Sequence, residues 1–263
     1  MKQLFLTLGI LISVSFSGNT QNAYNINSYQ AGEELKYILS YGFIRGGEAG
    51  IKVKDYNTDS SVMHHIHLYA KTLGLLDRVY KVYDVIESTY HPTTFLPTVA
   101  SQNISEGGFK RLYKYDYDHI SREDSTIIQS LRKGERIMPK GIQDFLSALF
   151  YAREFHINEN IQEGEIFKMN TYYNDKLFPL ILRYKGRKTI KTPIGKVDCY
   201  AFMPVTEVGR TFKSKDALTI YFTADQNKIP VSFEFDMFFG SAKCELIEYK
   251  GLKNPFTSLT PKK

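Results

Sequence analysis

Apolar and polar residues alternate with a period of two over most of this chain, which is the pattern of strands with one buried face. Leu35, Tyr37, Leu39 and Tyr41 form one such series, and Ile51 and Val53 another. Between them Arg45-Gly46-Gly47-Glu48 reads as the turn of a hairpin; it lacks the wider glycine spacing of a phosphate loop. Ser61 to Ala70 is a strand with Met63, His65, His67 and Tyr69 on one face and Val62, His64, Ile66 and Leu68 on the other. A helical turn is predicted near 72–79, then a long strand from Val79 to Tyr90. Phe109, Arg111, Tyr113, Tyr115 and Tyr117 form an aromatic stripe along a further strand. Arg132-Lys133-Gly134 turns the next hairpin. In the second half Glu165–Tyr173, Leu180–Tyr184, Thr189–Thr192, Lys196–Met203, Leu218–Thr223, Pro230–Asp236 and Ser241–Tyr249 are strands, with turns at Asn174-Asp175, Gly186 and Pro193-Ile194-Gly195.

One stretch breaks the period. Over 142–155 Ile142, Leu146, Leu149 and Arg153 recur at three- and four-residue intervals, and Phe145 and Phe150 widen that column into an apolar helix face. A single helix between two runs of hairpins predicts a mainly β fold. The expected form is a curved antiparallel sheet or open β-barrel wrapped around one central α-helix.

Arg153 continues the apolar column, so its guanidinium has two readings. It suits the dipole of a last helical turn, or it lies under the sheet and holds an acidic ligand or a buried carboxylate. Asp144, Ser147 and Tyr151 share a second column, either a solvated face or a polar row at a site. Tyr113 and Tyr115 either line a groove for a sugar or lipid or pack on a neighbouring strand. These six residues are the ligand-binding candidates. His65 and His67, two apart on a strand, could chelate a metal only with a third ligand, which no spacing supplies, so they are weak metal candidates. Cys199 and Cys244 both point to apolar faces; they could form a disulfide if their strands are neighbours, or remain buried thiols.

Lys2, the apolar run Leu4 to Phe16 and the small residues Ser15, Ser17 and Gly18 have the layout of a cleavable secretory signal over 1–21. The run is shorter than the roughly 20 residues that span a bilayer, and no later stretch reaches that length, so the mature chain carries no transmembrane segment. No cysteine follows the signal, which argues against a lipoprotein. The expected address is the periplasm. Residues 22–31 form a polar leader, 32–250 a single β-rich domain, and 251–263 a polar, proline-containing tail. The net charge of +6 is scattered. Its densest cluster, Arg183 to Lys191, surrounds Gly186 in an expected solvated turn, and an exported chain without a binding motif is a poor match for nucleic acid.

The run from Asp144 to Arg153 resembles the helix motif of an uncharacterised exported bacterial family, domain of unknown function 3108. The segments Gly32–Tyr37, Gly46–Gly50, Lys191–Val197 and Ile229-Pro230-Val231 match it as well. The similarity spans about residues 28 to 250. It implies a fold and an exported address, and no activity or site residue. Nucleophile elbow, zincin helix, Walker loop, Rossmann fingerprint and paired-cysteine motifs do not occur, and no cofactor is implied. The leading expectation is a non-catalytic envelope protein that binds or carries a hydrophobic or amphipathic ligand: a lipid, a lipidated protein or a glycan. A structural or partner-binding envelope module is the alternative, and a polysaccharide hydrolase or lyase the third.

Overall fold

A computed structural model describes residues 26–58, 61–204, 218–236 and 240–262. The proposed signal segment lies outside them, as do residues 22–25 of the leader. The strands, in chain order, are β1 Glu34–Tyr41, β2 Ile44–Asn57, β3 Val62–Thr72, β4 Tyr83–Tyr90, β5 Pro97–Glu106, β6 Phe109–Asp118, β7 Ser125–Ser130 and β8 Gly134–Pro139, followed by β9 Ile166–Tyr173, β10 Lys176–Thr192, β11 Gly195–Pro204, β12 Leu218–Thr223, β13 Pro230–Asp236, β14 Ser241–Lys250 and β15 Leu259–Pro261. Two helices interrupt them, α1 Gly74–Val79 and α2 Phe145–Phe155.

All strands belong to one antiparallel sheet whose order is β8-β7-β6-β5-β4-β3-β2-β1-β14-β13-β12-β11-β10-β9, with β15 added to β11. The chain therefore meanders outward from β1 to β8, crosses from one sheet edge to the other, and meanders back until β14 pairs with β1. Residues 140–165 make that crossing, and α2 lies within it. The two edges approach through side chains and one parallel bridge rather than a full ladder: Gln143 pairs with Thr171 of β9, and the Ser130 hydroxyl donates to Asp175 Oδ1 at 2.7 Å. The sheet is a nearly closed barrel. In such a meander the odd-numbered strands β1 to β13 finish at one end, here called the hairpin end, and start at the other.

The helix is shorter than its periodicity suggests. Ile142 to Asp144 precede it, and Asp144 is its N-cap in extended backbone. Eleven residues cannot form an axis for so long a sheet. α2 rests against β4 and β9 instead, its Leu146 and Phe150 entering the main core and its Ala148 and Ala152 a second cluster under β9 to β12. Phe145, expected on the apolar face, is 41% exposed beside Tyr173. Burial of Leu146 and Phe150 contributes about 2 kcal/mol each relative to exposure.

Several turns differ from the alternation-based reading. The β1–β2 turn is Gly42-Phe43, and Gly46-Gly47 lie inside β2. A Cβ on Gly46 would sit 2.0 Å from Leu76 of α1 and one on Gly47 2.9 Å from the Lys71 carbonyl, so these glycines admit close neighbours instead of bending the chain. Gly186 does not end a strand: β10 runs through it with a register shift between Tyr184 and Arg187, and its φ of +93° accommodates a bulge. The basic cluster thus belongs to one long strand. The predicted Val79 start of β4 moves to Tyr83 because α1 occupies Gly74–Val79.

The leader and tail are built into the fold. Ile26, Ser28 and Tyr29 are buried, the leader amides of Asn27 and Ser28 donate to Glu154 at 2.9 and 3.0 Å, and the tail supplies β15. Neither segment is long enough to show a period, so in the sequence each reads only as polar. Cys199 on β11 and Cys244 on β14 are free thiols separated by β12 and β13. The possible disulfide is overturned by strand order, which local alternation does not reveal.

Candidate functional site

Arg153 is fully buried and forms a two-pronged pair with Glu33, Nη1 donating to Oε1 at 2.8 Å and Nη2 to Oε2 at 3.0 Å. Nη2 also donates to the Asn227 carbonyl at 2.9 Å. The Tyr29 and Phe150 rings flank the guanidinium, their centroids 5.3 and 4.8 Å from its carbon. Burial works against the charge, and the Glu33 carboxylate more than offsets it, holding the guanidinium above its ordinary pKa. Of the two sequence readings, the buried carboxylate is the arrangement present.

Asp144 and Ser147 are buried rather than solvated. Asp144 Oδ1 accepts from the amides of Leu146 at 2.7 Å and Ser147 at 3.1 Å, and the Ser147 hydroxyl accepts from the Asp144 amide at 3.0 Å, a reciprocal capping box. Asp144 Oδ2 accepts from Ser88 of β4 at 2.6 Å. Tyr151 stands apart, half-buried between Phe95, Phe155 and His156. Tyr113 and Tyr115 are in the core with Tyr172 and Ile142, and the Tyr115 hydroxyl accepts from the Asp175 amide at 3.0 Å, fastening β6 to the β9–β10 turn. Burial pushes the Tyr115 phenol well above its usual pKa.

His65 and His67 project from the outer face of β3 towards Glu87 of β4, at 3.5 and 3.1 Å. Partial burial works to raise the Glu87 pKa; the bond from His67 and the nearby charge of His65 bring it below the usual carboxylate value. Among the described residues no group of three or more metal-ligating side chains has the geometry of an ion site.

His64, on the inner face, meets the rings of Tyr29 and Tyr90 at 5.7 and 5.8 Å. Burial lowers its pKa, as it does for His119 and His156. The unfolded imidazole takes its proton near pH about 6.5 and the folded one only at lower pH, so stability present at neutral pH is lost as pH falls through that value. Urea midpoints measured from neutral pH downward should decline there, at up to about 1.4 kcal/mol per pH unit for each proton taken up. His64→Gln should flatten the decline; an unchanged slope would exclude His64 as a contributor.

The expected residues do not converge on one site. A different place has the shape of one. At the hairpin end the barrel interior is not filled: a cavity of about 260 Å³ opens there, lined by Leu39, Ala70, Leu76, Val82, Phe235 and Ala242, with Gly47 and Cys244 beside them. Leu39, Ala70 and Ala242 lie on inner faces of β1, β3 and β14, and Leu76 of α1 and Val82 form one wall. Burial raises the Cys244 thiol to about 12, consistent with an apolar lining. Around this mouth Phe43 is 101% exposed, Leu75 78% and Val79 83%, with Ile44 and Tyr80 also outside. The small residues that create the space, Gly47, Ala70 and Ala242, carry no chemical signature. The detectable signal was Phe43 and Ile44 next to Gly42, bulky apolar residues where a turn is normally polar.

These features define a mainly antiparallel, barrel-like protein with an apolar opening at one end. The chain belongs to the family DUF3108, described as a protein of unknown function, whose model matches residues 36–247. No curated protein is detectably similar in sequence. A crystal structure of a β-barrel-like protein of domain of unknown function DUF1849 from Brucella abortus is similar, with a TM-score of 0.54, 9% identity, and coverage of 85% of this chain and 98% of that one. It shares the fold. A structure described as a "putative lipoprotein" from Parabacteroides distasonis has a TM-score of 0.35 and 12% identity, covering 86% of this chain and 99% of that one.

Proposed function

We propose that this is an exported, periplasmic, non-catalytic protein that binds one apolar chain of a lipid or lipidated molecule in the mouth at its hairpin end. The observation that carries the reading is the cavity of about 260 Å³ with an almost wholly apolar lining. Burying apolar surface there stabilises a complex by about 25 cal/mol per Å² before the cost of association. The volume is just under the range of about 300–1,000 Å³ usual for small-molecule sites, so it suits the end of an acyl chain rather than a glycan. The basic and apolar signal-like segment Lys2 to Phe16 motivates export.

Native mass spectrometry of the mature protein, purified without detergent from its own periplasm, should show a stoichiometric adduct that organic extraction identifies as lipid. Ala242→Trp fills the cavity and should abolish the adduct while leaving the thermal midpoint within a few degrees. An adduct retained in that variant, or a bare wild-type mass, would remove the reading and favour the partner-binding module, for which the exposed apolar rim would be the contact.

A further inference from the structure

We infer that the hairpin end docks on an anionic phospholipid bilayer, with the β1–β2 turn and α1 entering the headgroup layer. The rim is one connected structure. Leu76 of α1 packs on Gly46 of β2, and the Tyr80 ring covers Gly107 in the β5–β6 turn, where a Cβ would lie 2.7 Å from the ring. This places Phe43, Ile44, Leu75, Val79 and Tyr80 at the tip of the molecule, exposed to water without an apolar neighbour surface sufficient to bury them. Phe109 extends the rim at the third turn, with the Arg111 guanidinium 4.7 Å from its ring centroid.

Charge identifies the occupant. Arg45, Arg78, Lys81, Lys110 and Arg111 are exposed among these apolar side chains, and none of them forms an ion pair among the described residues. Three acids at the same end are engaged internally, while Asp236 beside the β13–β14 turn is exposed: Asp77 accepts from Thr72 at 3.0 Å, Asp84 accepts from the Ser105 amide at 2.9 Å, and Glu48 is held by Lys36 and Lys71 at 3.3 Å each. Glu106 is pushed above the usual carboxylate pKa by burial and by Asp84. Exposed bases interleaved with protruding aromatic and aliphatic tips match a surface of anionic headgroups over hydrocarbon. A protein partner of opposite charge would need no full insertion of Phe43, and this separates the two in the experiment. Docking goes beyond ligand binding, since the rim could bind a bilayer with the cavity blocked.

The test is co-sedimentation of the mature protein with vesicles of phosphatidylcholine alone or enriched in phosphatidylglycerol. Binding is expected only to the anionic vesicles, weakening with salt, and about tenfold or more weaker in Arg78→Glu/Lys81→Glu. The chain contains no tryptophan, so Phe43→Trp supplies a single indole, whose emission should shift to the blue on these vesicles and be quenched by brominated acyl chains. Phe43→Ser/Val79→Ser should lose binding while retaining the wild-type thermal midpoint and the lipid adduct. Ala242→Trp should show the reverse, no adduct with vesicle binding intact. Failure to bind anionic vesicles, or binding unaffected by the charge reversal and the serine pair, would overturn the docking surface. So would an indole that stays in water while position 43 cross-links to a protein in cells.

Discussion

Arg153→Met lowers the unfolding free energy by about 3–5 kcal/mol, because it strands the Glu33 carboxylate in the core. Both side chains are fully buried, 0% exposed, and Glu33 receives both of its charged donors from this one guanidinium. The loss is larger than a surface ion pair could give, about 0–1 kcal/mol. Arg153→Met/Glu33→Leu, in which no charge is left behind, should recover most of the difference, since replacing a whole buried pair by apolar groups is often neutral. The Asn227 carbonyl would lose a donor in both variants, and that part should not return. Urea denaturation of the four proteins forms the cycle that isolates the pair. A single-substitution cost below about 1 kcal/mol would mean that water reaches Glu33 and that the pair does not close the core. The pair joins three segments distant in sequence. Glu33 enters β1, Asn227 lies in the β12–β13 turn, and Arg153 is followed by Glu154, which grips the leader through Asn27 and Ser28.

How much of this was legible follows from the range of each signal. Period-two alternation is local and strong, so β1, β3, β6, β9 and β11 to β14 appear where the pattern places them. The Tyr113, Tyr115 and Tyr117 stripe faces inward, as alternation requires. The Arg153 position in an apolar column was a true anomaly, and a buried carboxylate was among its readings. What escaped depends on which strands are neighbours. Cys199 and Cys244 each point to the core, yet two strands separate them, and Glu33 could not be matched to Arg153 across 120 residues. Glycine misled twice, because a glycine that bends the chain and one that admits a close side chain read alike. Gly46-Gly47 and Gly186 read as turns and lie inside strands, while the turn at Gly42 carries Phe43, whose apolar character conceals it. The cavity itself is made of absences, and small residues on three strands become a mouth only when the meander brings them together.

Asp144→Ala should destabilise the protein by about 3 kcal/mol, combining loss of a helix N-cap, about 1–2 kcal/mol, with the cost of buried donors left without an acceptor. Three donors are involved: the amides of Leu146 and Ser147 and the hydroxyl of Ser88. Asp144→Asn should behave differently. Asparagine caps as well as aspartate, its Oδ1 can accept the two amides, and its Nδ2 can donate to the Ser88 oxygen, so its cost at neutral pH should stay below about 1 kcal/mol. The pH profile separates charge from geometry. Burial raises the Asp144 pKa above its ordinary carboxylate value, against the hydrogen bonds that lower it. The folded protein therefore holds this proton more tightly than the unfolded chain, and the contribution is favourable at low pH and lost as pH rises through the folded pKa. In wild type this partly counters the acid weakening caused by the buried histidines; in Asp144→Asn it is absent. The asparagine variant should consequently gain on wild type as pH rises from about 4 to neutrality and lose that gain on acidification. Parallel stability profiles for the two proteins would show that Asp144 is as ionised in the folded chain as in the unfolded one. In that case the three donors around it, rather than burial, set its charge, and the helix start is an anion site filled by its own cap.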